Sequence, residues 1–439
     1  MTAVSEALRN TLATDLRQAR AATDELFSWL AESAWLERPI AARHRLIFYL
    51  GHLEAFDWNL LARDAQQRPS RNPEFERLFA FGIDPLGSDL PTDSAANWPT
   101  RDRILAWIRD VRAEVDDVLQ TAPLQGWLHD GWAIHLSVEH RAMHRETLAY
   151  LLAQLPAAHK RLPAAAPRPA AATIHAHWCD IPAGQVTLGL DRNQHPTLGW
   201  DNEYDQHRVE VPAFRIASHK VTNAQWLEFL EAGGYHDDSL WTAEDAAWRK
   251  ATAITSPISW RQRDRAWSFV GLAGERPLPL EAPVYVSQAE ACAYARFRGA
   301  SLPTEAQWQR AAYGTPAGDE RAYPWGAAAP VPGLHGNFGC LHHDPTPIGS
   351  FPAGCSAFGL DEPLGNGWEW TKTPFAPFAG FQALPFYRGY SEPFFDGKHF
   401  VMKGASPQTP VTFLRRSFRN WFQPHYPQVF ATVRLAEAS

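Results

Sequence analysis

The chain has 439 residues, 45% of them hydrophobic and 20% charged, a globular composition too long for one ordinary core, so two domains are expected. A formal net charge of −7 with no long basic run argues against a nucleic-acid surface, which gathers Lys and Arg against phosphate. No stretch reaches the roughly 18–20 uninterrupted apolar residues of a membrane helix, so no membrane span is expected.

The opening MTAVSEALRNTLATDLRQAR alternates charge and apolar residues in helical fashion and has no signal-peptide core, which predicts a cytoplasmic protein. Apolar residues then recur at three- and four-residue spacing in LFSWLAESAWL, HRLIFYLGHLEAFDWNLLA and RILAWIRDVRAEVDDVL. The same period runs through IHLSVEHRAMHRETLAYLLAQL, which ends near Pro156. Four such helices predict an antiparallel bundle over 1–160. The polar, proline-rich stretch 66–100 reads as a long connection inside it. Residues 161–173, RLPAAAPRPAAAT, read as a semi-rigid linker.

From 174 to 439 the character changes to an α+β domain with much irregular structure. Short strand-like runs, QVTLGL, HRVEVPAF and APVYVS, sit among Gly and Pro turns. Two helices are predicted, VTNAQWLEFLEAG with Thr222 or Asn223 as cap, and SQAEACAYARFRG with Ser287 and Glu290 as a capping box. Nineteen tryptophans, mostly after residue 90, suggest a core assembled from loops. Cys179, Cys292, Cys340 and Cys355 form no CxxC pair, which points to reduced, mostly buried thiols.

The chemistry concentrates in the first half. His140 and His144, four apart on one helix, project from one face about 5–6 Å apart, close enough to share an ion. Glu146 completes an H-x3-H-x-E pattern but lies off that face, in a supporting role at most. His52, beside Gly51 on a helix buried by Leu50, Leu53 and Phe56, is the best third ligand, because bundle sites draw on inward-facing side chains of different helices. His44, His129 and His135 compete for that place, and Asp57 could complete a facial triad instead. The spacing does not choose between zinc and iron(II).

The segments HKVTNAQWLEFL, PVYVSQAEACAYARFRGASLPTEAQWQRAA, YPWG, IGSFPAGCSAFGLDEPLGNGWEWT and FRNWF follow the order of the formylglycine-generating-enzyme-like fold, itself related to C-type lectins. His52 and the HRAMHRE motif resemble a DinB-type four-helix bundle. Together the halves resemble the ergothioneine sulfoxide synthases and the related selenoneine synthases. The resemblance implies an Fe(2+) and O2-dependent enzyme that joins sulfur or selenium to imidazole C2 of hercynine, with the iron on His52, His140 and His144. It also implies that Asn420 and Trp421 contact hercynine; Trp421 either faces the trimethylammonium by cation–π attraction or packs in the core. Formylglycine generation is disfavoured, since no cysteine follows Cys355.

Departures from the ergothioneine pattern bear on the donor. Met143 stands where Gln often precedes the last ligand, and Phe378-Ala379-Gly380-Phe381 replaces a Tyr-Pro-Gly-Phe stretch, removing a proton-donating tyrosine. Tyr387, Tyr390 or Tyr426 could take that role. Phe422 stands where some relatives place an acid, and no arginine pair occurs in 84–98 to clamp donor carboxylates. A pocket without those charges suits a neutral selenosugar, so selenoneine synthesis is favoured over sulfoxide formation with cysteine or γ-glutamylcysteine. Arg419 and Arg434 are expected to make buried polar links, with reach to a substrate carboxylate as the alternative for Arg419, and Trp368 and Trp370 to be structural. Other classes to weigh are a zinc-dependent thiol S-transferase and a non-catalytic lectin-like module.

Overall fold

The computed structural model describes residues 3–80, 94–123, 125–164, 166–169, 176–192, 199–385 and 387–438. Part of the expected linker (165 and 170–173) and most of the stretch searched for an arginine pair (84–93) lie outside the described residues. The chain divides into two compact units, Met1–Pro163 and Ala164–Ser439.

The first unit holds α1 (Ala3–Ser28), α2 (Leu46–Asp57), α3 (Pro73–Leu78), α4 (Arg101–Thr121) and α5 (Trp132–Ala153). α5 packs along α1 and α2, and α2 along α4, forming a bundle of four helices with α3 beside it. α2 is buried nearly all round, from Leu46 to Ala55, so it runs through the centre of the bundle. It continues into a π-helical stretch, Trp58–Asp64, whose Trp58, Leu60, Leu61 and Ala62 are also buried. α3 arises inside the stretch expected to be a plain connection, started by Pro73 at the first turn and by the Asn72 side chain accepting from Phe75 N. The first helix is displaced from expectation. It begins at Ala3 and stops at Ser28, inside LFSWLAESAWL, because Ala31 N bonds to His159 O and Trp29 O accepts from Arg161 N, drawing the chain into a bridge with the end of the unit.

The second unit contains β1 (Trp178–Ile181), β2 (Gly184–Leu188), β3 (His207–Val211), β4 (Phe214–Ala217), α6 (Asn223–Glu231), α7 (Ala243–Thr252), β5 (Trp260–Arg263), β6 (Ala266–Gly271) and β7 (Gly274–Pro277). It ends with α8 (Gln288–Phe297), α9 (Glu305–Tyr313), β8 (Gly367–Pro374), β9 (Phe400–Ala405), β10 (Asn420–Phe422), β11 (Ala431–Thr432) and β12 (Ala436–Ala438). The central sheet has the order β10-β9-β8-β11, and the rest are small two- and three-stranded sheets. Reciprocal capping boxes start α6 at Thr222 with Gln225, α8 at Ser287 with Glu290 and α9 at Thr304 with Gln307. The APVYVS run is not a strand. Val284 N bonds to Val221 O and Val286 N to Ala431 O, so its backbone serves two segments instead of one ladder while its side chains fill the core.

Loops this long need polar anchors. Glu369 of β8 is fully buried and accepts from Arg434 Nε and Nη2, both at 2.8 Å, and from Trp308 Nε1 at 2.7 Å. Arg434 also donates to the carbonyls of Ala217, Ser218 and Asp361, and Trp370 Nε1 to Val286 O, so Trp370 and Arg434 are structural. The thiols are free, but only Cys179 is fully buried. The other three are half-buried, lying in loops or, for Cys292, on a partly covered helix face.

Removing the Glu369 carboxylate leaves Arg434 buried and unpaired. Glu369→Ala should cost about 3–5 kcal/mol in denaturant unfolding of the whole chain. An unchanged midpoint would show that this anchor is dispensable.

Candidate metal centre

His52 on α2 and His140 and His144 on α5 form a buried group whose ligand atoms all lie within 4.8 Å of one another. The ε nitrogens converge, with His52 Nε2 at 3.2 Å from His144 Nε2, and His144 Nε2 at 3.1 Å from His140 Nε2. Metal–nitrogen bonds of about 2.0–2.1 Å meeting at 90–109° would set such atoms about 2.9–3.4 Å apart. Two of the three pairs match that spacing and the third lies within 4.8 Å, so the group suits one small divalent cation after a slight inward shift.

Supporting contacts fix the His52 and His140 rings. His52 Nδ1–H donates to Phe79 O at 2.7 Å, which leaves the Nε2 lone pair facing its neighbours. His140 stacks on Phe56 at 3.6 Å, and His52 packs on Phe48 at 4.9 Å. Gly51 permits the Phe79 approach, since a Cβ there would fall 2.4–2.5 Å from three of its ring atoms.

The site is uncharged. Burial above all lowers the His52 imidazole to about 4, with His44 adding and the Phe79 carbonyl opposing. Burial likewise holds His140 and His144 well below the ordinary range, reinforced by neighbouring histidines and by Arg141. Three neutral rings that turn their ε nitrogens inward can coordinate a cation through lone pairs there, and they leave its charge uncompensated.

The competing ligands fall away. Asp57 Oδ2 accepts from Arg141 at 2.7 and 2.9 Å, so Asp57 does not complete a facial triad. His129 pairs with Asp130 at 2.9 Å on the surface, His135 is half-buried elsewhere on α5, and His44 stacks on Phe48 at 4.0 Å. Glu146 and Met143 are half-buried on α5 and outside the converging group.

Of the residues expected to hold substrate, Asn420, Trp421 and Phe422 lie on β10 in the second unit, whereas Met143 lies on α5 in the first. Trp421 stacks on Phe375 at 4.2 Å, which covers one of its faces, and meets the Tyr390 edge at 5.2 Å. Tyr390 stacks on Trp200 at 3.9 Å and lies 5.7 Å from Tyr387, whereas Tyr426 packs on Phe422 at 5.3 Å. Asn420 Oδ1 accepts from Trp421 N at 2.9 Å. Arg419 is fully engaged, gripping Glu305 with two bonds of 2.9 and 3.1 Å and donating to Asn202 O and Ala376 O, so it does not reach for a substrate carboxylate. Sequence reasoning missed Asp201, which is buried beside Trp200 and accepts from Ser391 Oγ. Its Oδ2 has no hydrogen-bond partner among the described residues. Burial pushes its carboxyl up to about 6, and burial with Asp201 nearby pushes the Tyr387 phenol up to about 12. No motif marks Asp201, because its partner is 190 residues away.

Two family models match, the sulfatase-modifying factor enzyme 1-like domain over residues 163–439 and the DinB superfamily over 15–148. A hercynine oxygenase of Mycobacterium tuberculosis is 35% identical over 402 residues, covering 89% of this chain and 90% of that protein. One of Mycolicibacterium smegmatis is 34% identical over 447 residues, covering 98% and 99%. Ergothioneine biosynthesis protein 1 of Neurospora crassa is 28% identical over 499 residues, covering 92% of this chain and 55% of that protein.

Gly51→Ala should displace Phe79, withdraw its carbonyl from His52 and cost about 1–3 kcal/mol of stability by overpacking. Divalent-metal titration should show weaker binding than wild type, and equal affinity would separate the glycine from the site. A second outcome concerns pH. His52 is lowered to about 4 in the fold against about 6.5 unfolded, so the unfolded chain takes the proton first. Stability of the metal-free chain should therefore fall from pH 6.5 downward, by about 2 kcal/mol at pH 5 from this group alone. Urea unfolding at pH 7 and pH 5 checks it, and equal or greater stability at pH 5 contradicts it.

Proposed function

Because the chain belongs to the hercynine oxygenase family, we propose that it is a non-haem iron(II), O2-dependent enzyme that exchanges the imidazole C2–H of hercynine for a carbon–chalcogen bond. The observation that carries this reading is the convergence of three uncharged, buried ε nitrogens from two helices. Iron(II) on three neutral imidazoles would supply open coordination positions and electrons for oxygen chemistry with a soft donor. His52, His140 and His144 would hold it, with His52 fixed by a backbone carbonyl and His140 by a stacked phenylalanine.

The residues of the second unit bind and orient. We assign Asn420 and Trp421 to hercynine, with Trp421 offering a ring face to the trimethylammonium, an attraction worth about 0.5–2 kcal/mol. Tyr387 keeps its proton at neutral pH, because its phenol is pushed up to about 12, which suits a donor and not a base. Tyr390, in contact with Trp421, and Tyr426 are the other candidate donors. Phe422, on the same strand as Asn420 and Trp421, is assigned to substrate binding in the second unit, and Met143, one residue before His144, to substrate binding in the first.

The donor proposed is a neutral selenosugar, which makes the reaction selenoneine synthesis. A missing charge supports this donor, since Phe422, packed on Tyr426, stands where the resemblance places an acid in some relatives. The names of the relatives favour a second reading, in which a thiol such as cysteine or γ-glutamylcysteine gives the ergothioneine sulfoxide.

The test is anaerobic iron loading, then hercynine, oxygen and either a selenosugar or each thiol, with products read by mass spectrometry. A selenium-containing hercynine product is expected. Turnover with thiols alone would replace the selenosugar with the second reading, and no oxygen consumption with any donor would overturn the activity itself. His140→Ala should lose both bound iron and turnover, and a fully active variant would remove His140 from the ligand set.

A further inference from the structure

We propose that Arg141 is a positioning residue for the metal centre. It fixes α5 against α2 in the one register that makes the three imidazoles converge. The proposal rests on reading those histidines as metal ligands.

Helix geometry explains why a register lock is needed. Each residue step turns a helix by about 100°, so a small rotation of α2 would swing His52 away from α5. Two of the ligands are bound together by lying on one helix, but His52 is not. Something must hold α2.

Arg141 lies between His140 and His144 in sequence and is fully buried. Its Nε and Nη2 reach Asp57 Oδ2 at 2.9 and 2.7 Å, and Nη2 reaches Glu54 Oε2 at 2.7 Å. Nη2 also lies 3.4 Å from Leu53 O, the residue after His52. One guanidinium therefore grips α2 at three residues within a turn and a half of its ligand. Nη1 reaches Thr23 Oγ1 of α1 at 3.4 Å.

The grip is backed from the other side. Arg112 of α4 donates to Glu54 Oε1 at 2.6 and 3.0 Å and forks onto Asp24 of α1 with two bonds of 2.7 Å. Arg20 of α1 bonds to Asp116 of α4 at 2.6 Å and lies 3.8 Å from Asp57 Oδ2. All four long helices thus meet in one ionic network directly behind the ligands.

Such a network is a poor way to gain stability, because desolvating buried charges offsets most of their attraction, and well-packed apolar side chains often do as well. Its distinctive contribution is geometry. The planar guanidinium presents a rigid fork that fits carboxylates in few orientations, and a lysine ammonium cannot reproduce it. Asp57 and Glu54 direct their carboxylates to Arg141 and Arg112, so they act through Arg141 and the backbone of α2.

Full-length wild type, Arg141→Lys and Glu54→Gln would be titrated anaerobically with Co(II), following its visible d–d absorption, alongside thermal unfolding of the metal-free proteins. Wild type should bind one Co(II). Arg141→Lys should bind it about 10–100-fold more weakly with an altered band, and Glu54→Gln about tenfold more weakly, while still folded. Variants that melt earlier yet keep wild-type affinity and spectrum would reduce Arg141 to a stabilising role and overturn the proposal. Should Arg141→Lys not fold, the milder Glu54→Gln decides by the same criterion. Absence of Co(II) binding by wild type would remove the metal centre itself, and the positioning role with it.

Discussion

Three uncharged imidazoles turning their lone pairs toward one dry point is the constraint on which the first unit depends. The ε nitrogens lie 3.1 and 3.2 Å apart, and burial prevents them from taking up protons as surface histidines would. The arrangement is held by its surroundings: a carbonyl fixing the His52 tautomer, aromatic rings against His52 and His140, and an ionic clamp on the two helices that carry the ligands. Convergence held in place by its surroundings is what a metal site requires of its supporting shell.

The second unit solves a different problem. Its long loops bury many tryptophans and few regular elements, so buried charges take the place of sheet ladders. Arg434 on Glu369, Arg419 on Glu305 and Arg415 on Glu203 each tie distant loops to one carboxylate. These anchors leave β10 and its neighbours free to present Trp421, Tyr390 and Asn420 on a firm base.

Legibility from sequence followed the range of the interaction. His140 and His144 were readable because a four-residue step on a helix is local geometry, and the caps at Thr222 and Ser287 were readable for the same reason. His52 needed an inference about which apolar helix is central, and the burial of α2 supplies it. Asp57 misled because a carboxylate near histidines looks like a ligand until its arginine is located 84 residues away. Phe79 O and Asp201 carried no signal at all, since a backbone carbonyl has no sequence identity and the Ser391 partner of Asp201 is remote. The APVYVS run failed because β-branched apolar residues suit any fully buried extended segment, paired or not.

X-ray absorption on the iron-loaded chain tests the central claim most directly. Three imidazole nitrogens at about 2.1 Å, with their outer-ring scattering and no protein sulfur, are predicted. A spectrum dominated by thiolate, or by oxygen ligands with fewer than three imidazoles, would contradict the account, because the metal would then sit somewhere other than among His52, His140 and His144.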